Sequence, residues 1–333
     1  MRNKIFFSLF LMFISPCFLF SQQNTTSKKT TTSSSREELR QYRIQYDFAE
    51  KTFYKYKMTY KTIVKRTFAD AKVENFERDM TVYLSFRRPS GLKDGFAELR
   101  TNLDSIIYKF TDGKKSYKWS SQADDDPIPP NPDFDIVFSI IGHSLDMTIS
   151  PYFEVAKIEG EQLDDLRETI DKMEDTARRW IWWKANTDEY LKFYMDMNKN
   201  VLRSGRFAID STWKMKFSIP IEGVKYSCDT TNVKFYLYDG KNFNVKAEMP
   251  KMYPNLTDSS TIIGLANDVV VPVDSTSSSA GYWDVSVSPR GMLNTAQGIF
   301  TTKRNYPNST LNFSDEIKTD IKYEFLGVIR WKD

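Results

Sequence analysis

We expect a mainly β (α+β) fold from this sequence: a large curved antiparallel sheet, or an open barrel, with a central helical pair packed on it. Two long stretches alternate apolar and polar residues with a period of two, which is typical of strands with one solvated face. Short turn sequences separate these segments, as in a meander. Between the two stretches, residues 161–198 change to spacings of three and four, which indicates helices.

The clearest strand pattern covers residues 54–65. One face of this strand carries Tyr54, Tyr56, Met58, Tyr60, Thr62 and Val64, and lysines occupy much of the other face. Residues 76–86 repeat the alternation, and strand patterns resume from about Arg206 and continue to Trp331. Long strands of this kind, joined by short turns, predict neighbouring antiparallel pairs.

The central segment predicts two helices. Apolar side chains recur at spacings of 3-4-3-4-3 and form a stripe about five turns long, made of Leu163, Leu166, Ile170, Met173, Ala177 and Trp180. Asn186 and Glu189 have the spacing of a capping box, so we expect a second, shorter helix to begin there. The strand-rich stretches on either side, 37–160 and 200–333, form either one domain or two halves of one architecture.

Residues 1–22 have the pattern of a secretory signal peptide. Arg2 and Lys4 precede an apolar run from Ile5 to Phe20, which is shorter than a membrane span requires. A Ser/Thr-rich segment, 23–36, follows and lacks any apolar residue, so we expect a disordered leader. We therefore expect a soluble protein exported to the periplasm, the outer membrane surface or the exterior, with no transmembrane span in the mature chain.

Cys17 leaves a second form of export open. An apolar residue stands three positions before it, as in lipoprotein signals, but Pro16 replaces the small residue expected directly before the cysteine. A lipid anchor at Cys17 is therefore the alternative to a soluble product. In either case Cys228 is the one other cysteine, so no internal disulfide forms, and we expect a small buried side chain there.

The composition argues against several kinds of chemistry. Removal of the signal peptide leaves 45 basic and 44 acidic residues, a net charge of +1, which gives no basic footprint for nucleic acid. His143 is the one histidine and lies in a turn-like segment, so a histidine metal cluster is excluded. We find no glycine-rich phosphate loop and expect neither a cofactor nor a metal site.

Paired carboxylates are the remaining enzymatic signal. Asp124, Asp125 and Asp126 form the densest acidic cluster, in a segment that contains four prolines. This setting favours a solvated loop over an active site, but two acids suffice for glycoside hydrolysis. A hydrolase of envelope polymers that uses paired carboxylates therefore stays open as an alternative function.

Aromatic side chains provide the candidate binding residues. Trp180, Trp182 and Trp183 lie too close together on a helix to face a single core, so part of this surface either packs on a second apolar element or lines a cavity. We hypothesise a non-enzymatic carrier whose sheet and helices enclose a lipid or another apolar ligand. Its candidate lining residues are Tyr56, Met58, Trp180 and Trp183; a structural or interaction protein without a pocket is the third hypothesis.

The segment Gly205–Trp213 (GRFAIDSTW) resembles uncharacterised secreted β-rich families of Gram-negative bacteria. Asp210 and Trp213 match their entry to a late strand, although the spacing from Gly205 departs from that pattern. The segment Tyr282–Gly291, a strand that ends in a glycine turn, is similar as well. The resemblance implies an exported β-rich protein, and it supplies no catalytic residue.

Overall fold

The computed structural model describes residues 41–45, 48–89, 91–123, 140–203, 205–238, 242–261, 270–306 and 313–330. The predicted signal peptide, the predicted leader and the cluster Asp124–Asp126 lie outside these residues. Within the described part of the chain, no helix has the length and apolar character needed to cross a membrane.

Sixteen strands and three helices make up the described chain. In chain order they are β1 (Tyr42–Arg43), β2 (Thr52–Phe68), β3 (Val73–Arg87), β4 (Ala97–Thr111), β5 (Ser116–Ser120), β6 (Ser144–Ile149), β7 (Val155–Glu159), α1 (Glu161–Asp171), α2 (Thr176–Ala185), α3 (Asp188–Met195), β8 (Arg206–Phe207), β9 (Thr212–Ile221), β10 (Val224–Tyr238), β11 (Phe243–Pro254), β12 (Ser259–Thr261), β13 (Val270–Pro272), β14 (Ser278–Val287), β15 (Leu293–Asn305) and β16 (Phe313–Arg330).

Twelve of the strands form one large antiparallel sheet. Its order is β7-β6-β4-β3-β2-β16-β15-β14-β11-β10-β9, and β5 pairs with a second part of β4. The last strand, β16, lies against β2 along its whole length, from Phe313 opposite Phe68 to Arg330 opposite Thr52. The two strand-rich stretches of the sequence therefore belong to one continuous sheet, and the predicted mainly β class is confirmed.

Alternation within the strands produces the core. On β2 the side chains of Tyr56 and Met58 are completely buried, while the alternating residues Lys55 and Lys57 are partly exposed. The same period-two burial runs through β14, β15 and most of β16, as expected for a sheet with one packed face. The predicted inward face of β2 is thus the observed one.

The structure divides the predicted first helix in two. Leu163, Leu166 and Ile170 are buried on α1 as expected, but α1 ends at Asp171. The second helix, α2, begins after Asp175, whose carbonyl accepts the Arg179 N–H at 2.8 Å. Aspartate is favoured directly before a helix, because its side chain suits the unpaired N–H groups there.

The predicted capping box is wrong. Thr187 precedes α3, and no side-chain hydrogen bond caps the helix. The side chain of Asn186 instead donates to the Trp182 carbonyl at 2.8 Å, so this residue completes α2. The carboxylate of Glu189 is paired with Lys225 at 2.6 Å, away from the helix start.

The sheet curls around α3 without closing. This helix contacts both edge strands, β7 and β9, which are not paired with each other in the described residues. Eight helical residues span only about 12 Å, so the two edges must approach each other closely. The segment that follows α3 enters the concave side of the sheet. There the Trp283 indole N–H donates to the Met197 carbonyl at 3.2 Å.

A buried ionic network holds this curl. The turn Glu222–Gly223 between β9 and β10 has positive φ at both residues, 45° and 80°, and it crosses to the opposite part of the sheet. There Glu222 accepts hydrogen bonds from the hydroxyls of Tyr60 at 3.0 Å and Thr62 at 2.9 Å, and from Arg78. Burial acts to raise the pKa of Glu222, but Arg78 and these hydrogen bonds outweigh it and lower the pKa.

Candidate functional site

Two adjoining pockets open between the helices α2 and α3 and the β9–β10 hairpin. The first, the lysine pocket, has a volume of about 450 Å³, and its lining is Asp188, Glu189, Lys192, Phe193, Asp196, Lys199, Asn200, Lys216, Ser218, Pro220 and Lys225. The second, the tryptophan pocket, has a volume of about 290 Å³, and its lining is Trp180, Trp183, Lys184, Thr187, Glu189, Tyr190, Pro220, Gly223, Lys225, Thr257 and Asp258. Small-molecule sites have volumes of roughly 300–1,000 Å³.

The periodicity of each element places these residues. On α3, Glu189 and Lys192 are three residues apart and so share one helix face, and Asp196 caps the end of the helix. On β9, Lys216 and Pro220 are four positions apart, so they share one strand face. Both faces border the lysine pocket.

An ion pair separates the two pockets. Lys225 and Glu189 meet at 2.6 Å and line both of them, together with Pro220. Since the two cavities share these three wall residues, a molecule that displaces or bridges this ion pair would contact both.

The tryptophan pocket combines an aromatic wall with a polar group. Trp183 is 55 % exposed, and the Lys184 ammonium lies 5.0 Å from the centre of the Trp180 ring. The same ammonium donates to the Gly223 carbonyl at 2.8 Å, and burial lowers its pKa. The buried hydroxyl of Tyr190, which also lines this pocket, has no hydrogen-bond partner among the described residues.

The lysine pocket carries positive charge that its carboxylates do not neutralise. Asp188 is paired with Arg167 at 2.9 Å, and Glu189 is paired with Lys225. Within the described chain, Lys216 has no carboxylate within ion-pair distance, and Lys192 donates only to the Ala156 carbonyl at 3.4 Å. Such lysines favour an anionic group in the pocket.

The inner wall of the lysine pocket contains two titratable groups with shifted pKa values. Asp196 accepts the backbone N–H groups of Asn198 at 3.0 Å and Lys199 at 2.9 Å, and burial raises the pKa of its carboxyl to about 6. Burial also lowers the pKa of the Lys199 amine to about 8. Both groups therefore titrate near neutral pH, which is common at functional sites.

The structure brings two of the four predicted ligand-binding residues together. Trp180 and Trp183 line the tryptophan pocket. Tyr56 and Met58 lie in the sheet core, where the Tyr56 hydroxyl donates to the Leu293 carbonyl at 3.0 Å. One cavity between helix and sheet, with a volume of about 10 Å³, has room for about one water molecule.

Sequence reasoning missed the lysines and Tyr190. In the sequence, Lys216 is marked only by its alternation with the apolar residues Met215 and Phe217. Nothing in the sequence shows that the Glu222–Gly223 turn places β9 next to α3.

The other sequence candidates lie away from these pockets. The ring of His143 is in a turn, with Nδ1 3.2 Å from the Ile141 carbonyl oxygen. Cys228 is partly buried and packs against the core, and burial raises the pKa of its thiol. Within the described ranges, no three histidine, cysteine or acidic side chains are grouped to hold a metal ion.

Comparison with known proteins gives no family. No family model and no curated protein matches the chain. A structure of lipid–protein interactions in lipovitellin overlaps 86 % of this chain at 11 % identity and a TM-score of 0.42, and the overlap spans only 26 % of the lipovitellin chain. OccK5 (OpdH) of Pseudomonas aeruginosa overlaps 84 % of this chain and 98 % of its own, at 9 % identity and a TM-score of 0.19. Neither likeness assigns a function.

Proposed function

We propose that this chain is exported by the segment 1–22 and works outside the cytoplasm as a non-enzymatic binding protein. Its ligand is an amphipathic molecule, such as a lipid, with an apolar part and an anionic group. The apolar part contacts Trp180 and Trp183, and the anionic group lies among Lys192 and Lys216.

The contrast between the two pockets carries this proposal. An aromatic cavity adjoins a lysine-rich one, and the two share a wall at the pair Glu189–Lys225. Aromatic rings bind apolar surface, while ammonium groups without carboxylate partners attract an anion. In this proposal Tyr56 and Met58 support the sheet behind the site rather than contact the ligand.

Hydrolysis of envelope polymers is the less supported function. A hydrolase needs one carboxylate as an acid and a second one as a base or nucleophile. Asp188 and Glu189 are each bound by a cation in the described structure, which leaves Asp196 as the one carboxylate in the lysine-pocket lining without such a partner. In the tryptophan pocket, Asp258 accepts the Lys225 backbone N–H at 2.9 Å. This arrangement favours binding.

Titration with dodecanoate tests the proposal. Tryptophan fluorescence reports binding, and native mass spectrometry of protein purified from its own envelope identifies a ligand that co-purifies. We expect Trp183→Ala to weaken dodecanoate binding by about ten-fold, which corresponds to about 1.4 kcal/mol. Tyr253→Ala is the matched control, since Tyr253 is also 55 % exposed and lies outside both pockets. Equal affinity of the two variants, or no binding to the wild type, would refute the proposal.

A further inference from the structure

The amine of Lys199 has surroundings unlike those of the other lysines in the lysine pocket. This residue is only 8 % exposed, and its Nζ lies 4.6 Å from the ring centre of Phe193, 5.6 Å from that of Trp283 and 5.8 Å from that of Tyr323. Its hydrogen-bond acceptor is the Phe193 carbonyl. The Tyr323 hydroxyl donates to the same oxygen at 3.0 Å, so this acceptor has a second donor.

The backbone at this position is also unusual. Lys199 and Asn200 have φ values of 50° and 59°, and two consecutive residues other than glycine are rarely left-handed. Strain of this kind persists where the surrounding structure enforces it, and it is concentrated at functional sites. Here it places the lysine between the aromatic core and the lysine pocket, which Lys199 lines.

We propose that Lys199 is a nucleophile that forms a Schiff base with the aldehyde or ketone group of a small molecule in the lysine pocket. Removal of an amine from water among apolar groups favours its neutral form, which is the reactive one. This inference goes beyond the proposed function, because a reversible covalent bond at Lys199 requires neither a lipid nor the tryptophan pocket.

The bond changes balance without a further reagent. The lone pair of the neutral amine attacks the carbonyl carbon, and the π electrons of the carbonyl move to its oxygen, which takes up a proton. The nitrogen loses a proton, and the resulting hydroxyl accepts another and leaves as water while the C=N bond forms. Asp196 lines the same pocket and is the carboxyl available to give and take these protons. Hydrolysis reverses the reaction.

Reductive trapping tests this inference on the wild-type chain. The protein is treated at pH 7 with butanal and sodium cyanoborohydride for short times, and peptide mass spectrometry gives the initial labelling rate of each lysine. Lys216 is the internal control, since it lines the same pocket but is exposed. At pH 7 an amine of pKa about 8 is roughly one-tenth neutral, against less than one-thousandth for an ordinary lysine. We expect Lys199 to be labelled at least about ten-fold faster than Lys216.

The outcome is clear in either direction. Labelling of Lys199 that is no faster than that of Lys216 at pH 7 would overturn the inference. Lys199→Arg keeps the charge and removes the nucleophile, so the fast label should disappear while the circular dichroism spectrum is retained. The wild-type comparison stands even where that variant does not fold, and a negative dodecanoate titration has no bearing on it.

Discussion

The close contact between Gly298 and Trp283 predicts a large loss of stability in Gly298→Ala. A Cβ at this position would lie 2.3 Å from Cε3 and 2.7 Å from Cζ3 of Trp283, and 2.8 Å from Cε2 of Phe300. Ordinary contacts begin near 3.4 Å, so the indole would have to move by about 1 Å. Trp283 is completely buried and hydrogen-bonded to the Met197 carbonyl, which prevents an inexpensive shift.

We expect Gly298→Ala to lower the free energy of unfolding by about 3 kcal/mol, the upper end of the usual range for overpacked cores. Urea denaturation measures this change through the midpoint of the transition and its slope. Gly91→Ala is the control, since its added Cβ would meet Glu50 Oε1 at an ordinary 3.5 Å, and we expect a change within about 0.5 kcal/mol. A loss below 1 kcal/mol in Gly298→Ala, with an unchanged slope, would show that Trp283 does not pack as described.

Two further predictions concern buried charges. In the folded protein, burial lowers the pKa of Lys199 from its ordinary value of 10.5 to about 8. The buried charge therefore destabilises the fold most below pH 8, and this effect decreases as the pH rises towards 10.5. We therefore compare the unfolding free energy of Lys199→Met with that of the wild type at two pH values. The variant's value minus the wild-type value should be about 2 kcal/mol larger at pH 7 than at pH 9.5. A difference that does not depend on pH would contradict the burial of this amine. Asp315 is buried and accepts Nε and Nη2 of Arg66 at 2.9 and 3.0 Å, so Asp315→Asn should cost about 3 kcal/mol or more in urea denaturation. Glu77→Gln, which breaks the exposed pair with Lys61, should cost less than about 1 kcal/mol, and similar losses in the two variants would argue against the buried pair.

Local patterns were sufficient to predict the strands and the buried stripe of α1. Alternation on β2 correctly placed Tyr56 and Met58 inside, because a strand with one packed face repeats every second residue. The break at Lys172 was missed, since the apolar spacing continues through Met173 and contains no signal for the restart at Asp175.

The candidate site was only partly predictable for a different reason. Trp180 and Trp183 were identified because too many aromatic residues occupy one short helix. Lys216 and Lys199 belong to the site only because the sheet curls until β9 reaches α3. That curl depends on contacts such as the hydrogen bond between Tyr60 and Glu222, which are 162 residues apart in the sequence. Periodicity within one element carries no information about such contacts.

The most direct test of the proposed binding site compares two lysines on the same strand. Lys214 and Lys216 are both exposed on β9, but only Lys216 lines the lysine pocket. Dodecanoate and uncharged dodecanol are titrated against wild type, Lys214→Gln and Lys216→Gln by tryptophan fluorescence. We expect Lys216→Gln to weaken dodecanoate binding by about five-fold, or about 1 kcal/mol, and to leave dodecanol binding unchanged, while Lys214→Gln matches wild type. Equal dodecanoate affinities in both variants would contradict an anionic ligand group in this pocket.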